Sequence, residues 1–525
     1  MSEIKKYIGI TIGPIFDMMS LVSTPAALWA TSYMFSSISK KTCEKLHAEG
    51  IEIITPFFDS PKNELFNKYD GVGLFHDRII MKGDNVTFDK INQIKTEVLK
   101  EVSESFKLGD ELLKRVLFVA AEINVAEGEN PILKGGKILD SLELPRKIMF
   151  KETSNPILAK FTGNLPEDGD KKEGKNEAIK EIAKGLGIYI DRWPLIRNKK
   201  NENGEIIQQI KSLPLIAAAG RKSETEKKKK HSYYAIVRSD GDNMSKIIER
   251  LPVEASSGDP KEKTLSDFSK ICLEYCSEVA EKVTDFKGVP VYSSGDDLLA
   301  IMPCDSGDKG TVFDFVKEVN DLFAEKFAEF IEMIESANES NPENEQIAVP
   351  SLSFGITICF NKFPLYEALA DSATLLFDVA KSKKNCTAVR LQKHSGQSEG
   401  LLIYNDALED FLEIQNAVLT NNSDSVSDIL LSALYKTEKF AKLFAEAKDD
   451  VQSKNLFVNT FDAVAHDNND FVHVKLPDFY NTIRNKKRMF ALGAKSECSK
   501  ENDINVFNFA LRILKFYVEK GGKEE

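Results

Sequence analysis

Cysteine is sparse and scattered in this chain: seven residues in 525, with no CxxC pair. A zinc ribbon needs paired thiolates at close spacing, so that class is excluded. Cys272 and Cys276 fall one turn apart in a helical pattern, which fits reduced, buried thiols in a cytosolic protein. Histidine is scarce too. The dipeptides His76-Asp77 and His466-Asp467 have no second HD or HxH group nearby, which argues against a histidine-based metal hydrolase. Long apolar runs are also missing: Leu352–Phe360 and Leu298–Met302 are strand-length and far too short to span a bilayer. Met1–Gly13 lacks the long apolar region and cleavage site of a signal peptide, so a cytoplasmic location without membrane contact is expected. Nor is there a basic excess. A net charge of −12 is not that of a lone sequence-specific DNA binder, although a subunit meeting nucleic acid through a small basic patch, or through partners, is compatible with it.

What remains is an ordinary globular composition, 42% hydrophobic and 29% charged with mean hydropathy −0.28, long enough for several cores. Residues 1–130 open on the alternating strand pattern Tyr7–Ile12, followed by a helical stretch from Ile15 to Lys41, strand candidates Ile51–Phe57 and Arg78–Met81, and an amphipathic helix Asn92–Phe106. An α+β domain is expected there. Residues 131–230 form an irregular insert, with a lysine-rich stretch Lys171–Lys175, a turn-rich loop Asn198–Gly204 and a basic linker Arg221–Lys230 that reads as a solvated tether. From 231 to 399 the order strand (Tyr233–Arg238), helix (Leu265–Asp285), two strands (Val289–Ser293, Leu298–Pro303), helix (Val312–Ser336), strand (Ser351–Phe360) is that of a ferredoxin-like palm. A helix Leu365–Ala380 and a strand Thr387–Leu391 complete it. Residues 400–525 read helical, a packing or partner-docking module.

The chemistry concentrates in two acidic turns. Asp240 and Asp242 lie where the first palm strand ends, in Ser239-Asp240-Gly241-Asp242-Asn243-Met244, and Asp296-Asp297 occupy the tip of the next hairpin. The topology brings both to one sheet edge. Crowded carboxylates raise one another's pKa unless a cation intervenes, and Mg²⁺ or Mn²⁺ suits hard oxygen ligands while leaving room for phosphates. Asp240, Asp296 and Asp297 are therefore the expected metal-holding and catalytic residues. Two ions so held would activate a hydroxyl and stabilise leaving pyrophosphate, with ATP as substrate. Gly295 frees the backbone at the tip. Lys381, following the helix, is placed to grip a triphosphate, although lysines at helix C-termini also answer the macrodipole. Gly241, Asp242, Ser294, Gly295 and Lys381 complete the expected nucleotide site.

These residues resemble the large polymerase/cyclase subunit of type III-B CRISPR effector complexes, a distant relative of GGDEF cyclases. Three segments carry the resemblance. Ile12-Gly13-Pro14-Ile15 with Leu28-Trp29-Ala30-Thr31-Ser32-Tyr33 is similar to the family's GPVQ…DLWxxSY opening; Asp240-Gly241-Asp242-Asn243-Met244 to its DGDxMG segment; Tyr292-Ser293-Ser294-Gly295-Asp296-Asp297 to its YxGGDD signature. The resemblance implies a degenerate first palm, a mostly helical insert, a catalytic second palm and a helical C-terminal domain. It also implies other subunits as partners, with guide RNA and target RNA in the complex, and an adenylate messenger made when target RNA pairs with the guide.

The departures carry information as well. The family's N-terminal HD nuclease domain and the insert's zinc-binding cysteines have no counterpart, so DNA cleavage is not expected. GGDD has become SGDD. The opening motif has Phe16 in place of Gln and Thr24-Pro25-Ala26-Ala27 before Leu28-Trp29. That altered acceptor side suits an alternative in which AMP from ATP is joined to S-adenosylmethionine, whose sulfonium and ammonium would favour carboxylates. Asp70, Asp77 and Glu152 are the candidate contacts. Competing readings are a catalytically inactive scaffold and a stand-alone GGDEF-like cyclase using GTP.

Overall fold

The computed structural model describes residues 4–519 apart from 21, 67–70, 85, 109–115, 148–179, 201–205, 222–227, 256–261, 340–341, 343–345, 421–425, 462–469 and 493–499. Asp70, Glu152, the Lys171–Lys175 stretch and His466-Asp467 lie outside the described residues.

The first unit is built from β1 (Lys5–Gly13), α1 (Pro25–Ala48), β2 (Ile53–Thr55), β3 (Arg78–Lys82), α2 (Phe88–Ser105) and β4 (Leu117–Val125). Thr24 caps α1 by accepting from the Ala27 N–H, with Pro25 as first helical residue, a pairing of cap and proline that fixes the start. The sheet order is β2-β3-β1-β4, with β1 antiparallel to β3 and to β4. This is a complete ferredoxin-like βαββαβ unit. The helix α3 (Pro131–Lys147) falls in the stretch expected to be insert, yet it packs on β1 and β4 of the first unit. The described part of the insert is not purely helical either: β5 (Ile196–Lys200) and β6 (Ile206–Ile210) form an antiparallel hairpin.

The second unit repeats the plan. β7 (Tyr233–Asp242), α4 (Leu265–Asp285), β8 (Val289–Ser294), β9 (Asp297–Pro303), α5 (Val312–Lys326) and β10 (Ser351–Phe360) give the antiparallel order β10-β7-β9-β8. Capping boxes start both helices, Thr264 with Asp267 and Thr311 with Asp314. Beyond the ferredoxin-like core, α6 (Leu365–Thr374) leads through a π turn (Leu375–Ala380) to β11 (Cys386–Gln392), parallel to β10. β12 (Ser398–Tyr404) and β13 (Met489–Ala491) extend the sheet to seven strands. The residues after 400 therefore supply sheet as well as helices such as α7 (Leu408–Leu419), α8 (Val426–Lys439) and α9 (Lys500–Val518). No described helix is long and apolar enough to cross a membrane.

Alternation along β7 places Tyr233, Ala235 and Val237 in one core, and Tyr234 and Ile236 in another. The second core is shared between the two units: Ile8, Ile10 and Leu28 of the first pack in it with Val291, Leu299 and Ile301 of the second. The seam is polar as well. The Ser293 N–H donates to the Gly73 carbonyl at 3.0 Å, and Ser32 Oγ donates to the Val291 carbonyl at 3.1 Å. The end of the basic linker is anchored rather than solvated: Lys230 forms a buried ion pair with Asp305, and Lys229 pairs with Glu519 at 3.1 Å.

Candidate active site

β7 runs two turns of pleat further than its apolar residues suggest, so Asp240 and Asp242 sit on the strand itself. The register Ser239 opposite Leu298 brings Asp240 alongside Asp297, the first residue of β9. Cross-strand neighbours project to the same face. The β8–β9 turn is tighter than four residues: Ser294 pairs with Asp297 around Gly295-Asp296, with Gly295 at φ +66°. A two-residue hairpin turn with positive φ first is what that glycine supplies.

Three carboxylates converge there. A Cβ on Gly241 would lie 2.3 Å from Asp296 Oδ2, so the strand backbone admits that carboxylate only because residue 241 is glycine. Burial pushes the Asp296 carboxyl above the ordinary range, the Asp240 charge adds to this, and Lys381 partly offsets it. Asp297 is pushed up by burial, by Asp296 and by Asp240, with whose side chain it shares a hydrogen bond. The adjacent charge of opposite sign is Lys381, whose Nζ stands 2.7 Å from Asp240 Oδ2 and 3.2 Å from Asp242 Oδ1 and donates to the Gly241 carbonyl.

Asp242 does something different. Its side chain is fully buried and accepts from Ser353 Oγ at 2.7 Å, Ser351 Oγ at 3.2 Å and the Asn385 N–H at 2.9 Å. It ties β7 to β10 and to the turn before β11. Gly355 on β10 makes the matching close approach: a Cβ there would lie 2.5 Å from the Leu376 nitrogen and the Ser372 carbonyl oxygen. The π turn thus rests on the strand, which delivers Lys381 to Asp240.

The corner opens on a cavity of about 270 Å³ between the two units, lined by Asp296, Asp297, Ser294, Asp77, Ile80 and Phe268 among others. Ser294 Oγ is buried without a hydrogen-bond partner among the described residues. A second cavity of about 290 Å³ lies behind Asp77, with Gly13, Pro14, Phe16, Asp140 and Glu143 in its wall. Asp77 therefore borders both. Burial pushes its carboxyl up to about 6, against the pull of Arg78. Burial also pushes His76 down to about 4, and its Nε2 meets Thr55 Oγ1 at 3.2 Å, so His76 is a neutral packed imidazole. Trp29 stacks on Tyr33 at 5.3 Å and donates Nε1–H to the Gly71 carbonyl, pinning the loop that leads to Asp77.

The donor set fits Mg²⁺ or Mn²⁺ by chemistry: hard oxygens whose mutual repulsion a divalent cation would relieve. It is not a finished cage, since no group of three or more His, Cys, Asp or Glu stands in a metal-holding arrangement among the described residues. Sequence reasoning missed Arg238, which is buried on the same strand face as Asp240 and donates Nε–H to Ser372 Oγ at 3.1 Å. An arginine directly after the apolar run Tyr233–Val237, ahead of the acidic segment, was the available signal. It also missed Asp140 and Glu143, which reach the acceptor side only through the packing of α3.

Residues 233–388 match the family described as Cas10/Cmr2, second palm domain. Over 222 residues, 38% of this chain, the sequence is 27% identical to the CRISPR system Cmr subunit Cmr2 of Pyrococcus furiosus, and the match spans 22% of that protein's length. In fold, the chain is similar to a subunit in the apo state of a type III-B Cmr-beta assembly, with TM-score 0.56 and 13% identity over 99% of this chain and 82% of that one. A chain of the Csm1-Csm4 cassette in complex with cA4 is also similar, with TM-score 0.51 and 13% identity over 99% of this chain and 70% of that one.

Proposed function

We propose, for a chain that carries the second palm domain of Cas10/Cmr2, that the Asp240–Asp296–Asp297 corner is the active site of an ATP-using nucleotidyltransferase. The observation that carries this reading is the convergence of the three carboxylates at one end of the sheet, with Asp296 and Asp297 in the wall of the inter-unit cavity. A bound Mg²⁺ or Mn²⁺ would supply charge neutralisation for the triphosphate and a lowered pKa for the attacking hydroxyl. The chain's own residues do the rest. Gly295 leaves backbone room for phosphate, Gly241 makes room for the Asp296 carboxylate, Ser294 Oγ is free to donate to phosphate, and Lys381 balances its charge. Pyrophosphate is the leaving group, and no protein nucleophile is needed.

In this reading the chain works in a type III-B CRISPR ribonucleoprotein with other subunits, guide RNA and target RNA, and is switched on by target RNA. The product is an adenylate messenger, either cyclic oligoadenylate or AMP joined to S-adenosylmethionine. The first has the support that structural relatives are described in complex with cA4 and pppApA. The second has the support of three carboxylates in the wall of the second cavity, Asp77, Asp140 and Glu143, against the single cation Arg78, which pairs with Asp140 and, at 3.4 Å, with Glu143; the excess of carboxylate suits a cationic acceptor. The RNA-activated complex given ATP alone, or ATP with S-adenosylmethionine, separates them by mass spectrometry of the product. Abundant cyclic oligoadenylate from ATP alone excludes the cationic acceptor.

A scaffold without activity is the second reading, favoured by one observation: Lys381 already neutralises part of the corner. Asp296→Ala/Asp297→Ala decides between them. Loss of product by at least about 100-fold, with the complex still assembled, is expected of the enzyme; no product from either protein leaves the scaffold.

A further inference from the structure

We infer that Lys381 is an exchangeable counter-ion that makes the acidic corner hold a divalent cation more weakly alone than together with a polyphosphate. The inference rests on the nucleotidyltransferase reading and adds an order of binding to it. The Lys381 ammonium touches three successive residues of β7: Asp240 at 2.7 Å, the Gly241 carbonyl, and Asp242 at 3.2 Å. That is the position from which a metal ion would draw its oxygen ligands, so ammonium and metal compete for Asp240.

The two cations of the site are held in different ways. Arg238 is buried and fixed by Ser372 and Tyr292, and it has no ion-pair partner among the described residues. Lys381 is a compact charge on a flexible stem, with 19% of its side chain exposed at the mouth of the corner. Its departure leaves Asp242 Oδ2 served by Ser353, Ser351 and the Asn385 N–H, while the buried Oδ1 loses the one cation beside it among the described residues. Asp240, 24% exposed, is the group left needing a cation. An incoming triphosphate offers the ammonium a stronger partner than one carboxylate. Lys381 then turns from Asp240 to phosphate oxygen, and the vacated carboxylate becomes available to the metal that accompanies the nucleotide. No covalent bond changes; two ion pairs are exchanged.

Mn²⁺ binding to the full chain, followed by its electron paramagnetic resonance signal without nucleotide, tests this directly. Lys381→Met is expected to bind Mn²⁺ about tenfold tighter than the wild type and to bind ATP in chelator about tenfold more weakly. Lys381→Arg, which keeps the charge, is expected to stay near the wild type for Mn²⁺. Should Lys381→Met fail to fold, judged by its thermal transition, Lys381→Gln takes its place. Mn²⁺ affinity that is unchanged or weaker in the uncharged variant overturns the exchange. Asp296→Asn/Asp297→Asn tells the two failures apart. If that protein loses Mn²⁺ binding while Lys381→Met gains none, only the exchange is wrong. If it binds Mn²⁺ like the wild type, the metal corner falls and the exchange with it.

Discussion

At the scale of single residues, the acidic corner trades stability for charge. Asp296 and Asp297 are held above the ordinary carboxylate range, chiefly by burial and then by one another and Asp240. A carboxyl whose folded pKa is raised keeps a proton that the unfolded chain has already released. Its folding contribution therefore falls as pH climbs from about 4, the unfolded value, through the raised folded one. Without metal, Asp297→Asn is expected to raise the thermal midpoint at pH 8 by about 2 °C and to change it little near pH 4. A loss of midpoint at pH 8 would mean that the carboxylates are not in conflict. The same crowding was legible in the sequence, because two runs of Asp and Gly at neighbouring strand ends leave few other arrangements. The roles within it were not. Asp240 and Asp242 look alike as letters, yet one is partly exposed beside Lys381 and the other is sealed under Ser353.

At the scale of elements, the second palm was readable because period-two and period-3.6 patterns alternate cleanly from Tyr233 to Phe360. The stretch after it was less so. Leu365–Ala380 reads as one helix, since apolar spacing cannot register the single wider turn that begins at Leu375. β13 has three residues, too few for any period, and finds its place only by pairing with β12. The π turn is positioned by Gly355, where added carbon would meet backbone rather than a side chain that can swing away. Gly355→Ala is accordingly expected to destabilise the chain by about 1–3 kcal/mol. It should also shift Lys381 from Asp240, weakening ATP binding more than Asn385→Ala does. Denaturant midpoints with a nucleotide-binding isotherm check both. A Gly355→Ala protein with wild-type values on each would leave the turn without its proposed support.

At the scale of the whole molecule, two ferredoxin-like units are joined by a core that no local pattern announces, because it is made of contacts between residues hundreds of positions apart. Ile8 and Leu28 share it with Tyr234, Ile236 and Ile301. Trp29 and Trp193, the chain's only tryptophans, also lie in it, with ring centroids 4.3 Å apart. Their fluorescence therefore reports on the first unit and its seam, while far-ultraviolet circular dichroism reports on the entire chain. Ile236 is fully buried on the second unit's strand β7. Ile236→Ala removes volume from the shared core, at a cost of about 2–5 kcal/mol. If the units fold as separate domains, the tryptophan transition keeps its wild-type midpoint while the dichroism transition splits. Cooperative units move together: both signals should shift to lower denaturant by the same amount. Coupling of that kind would let a ligand in the cavity between Asp77 and Asp297 stabilise both units at once, since its walls come from each. ATP with Mg²⁺ should then raise the tryptophan midpoint although neither tryptophan lines that cavity. A nucleotide-dependent rise confined to dichroism would place the ligand on the second unit alone.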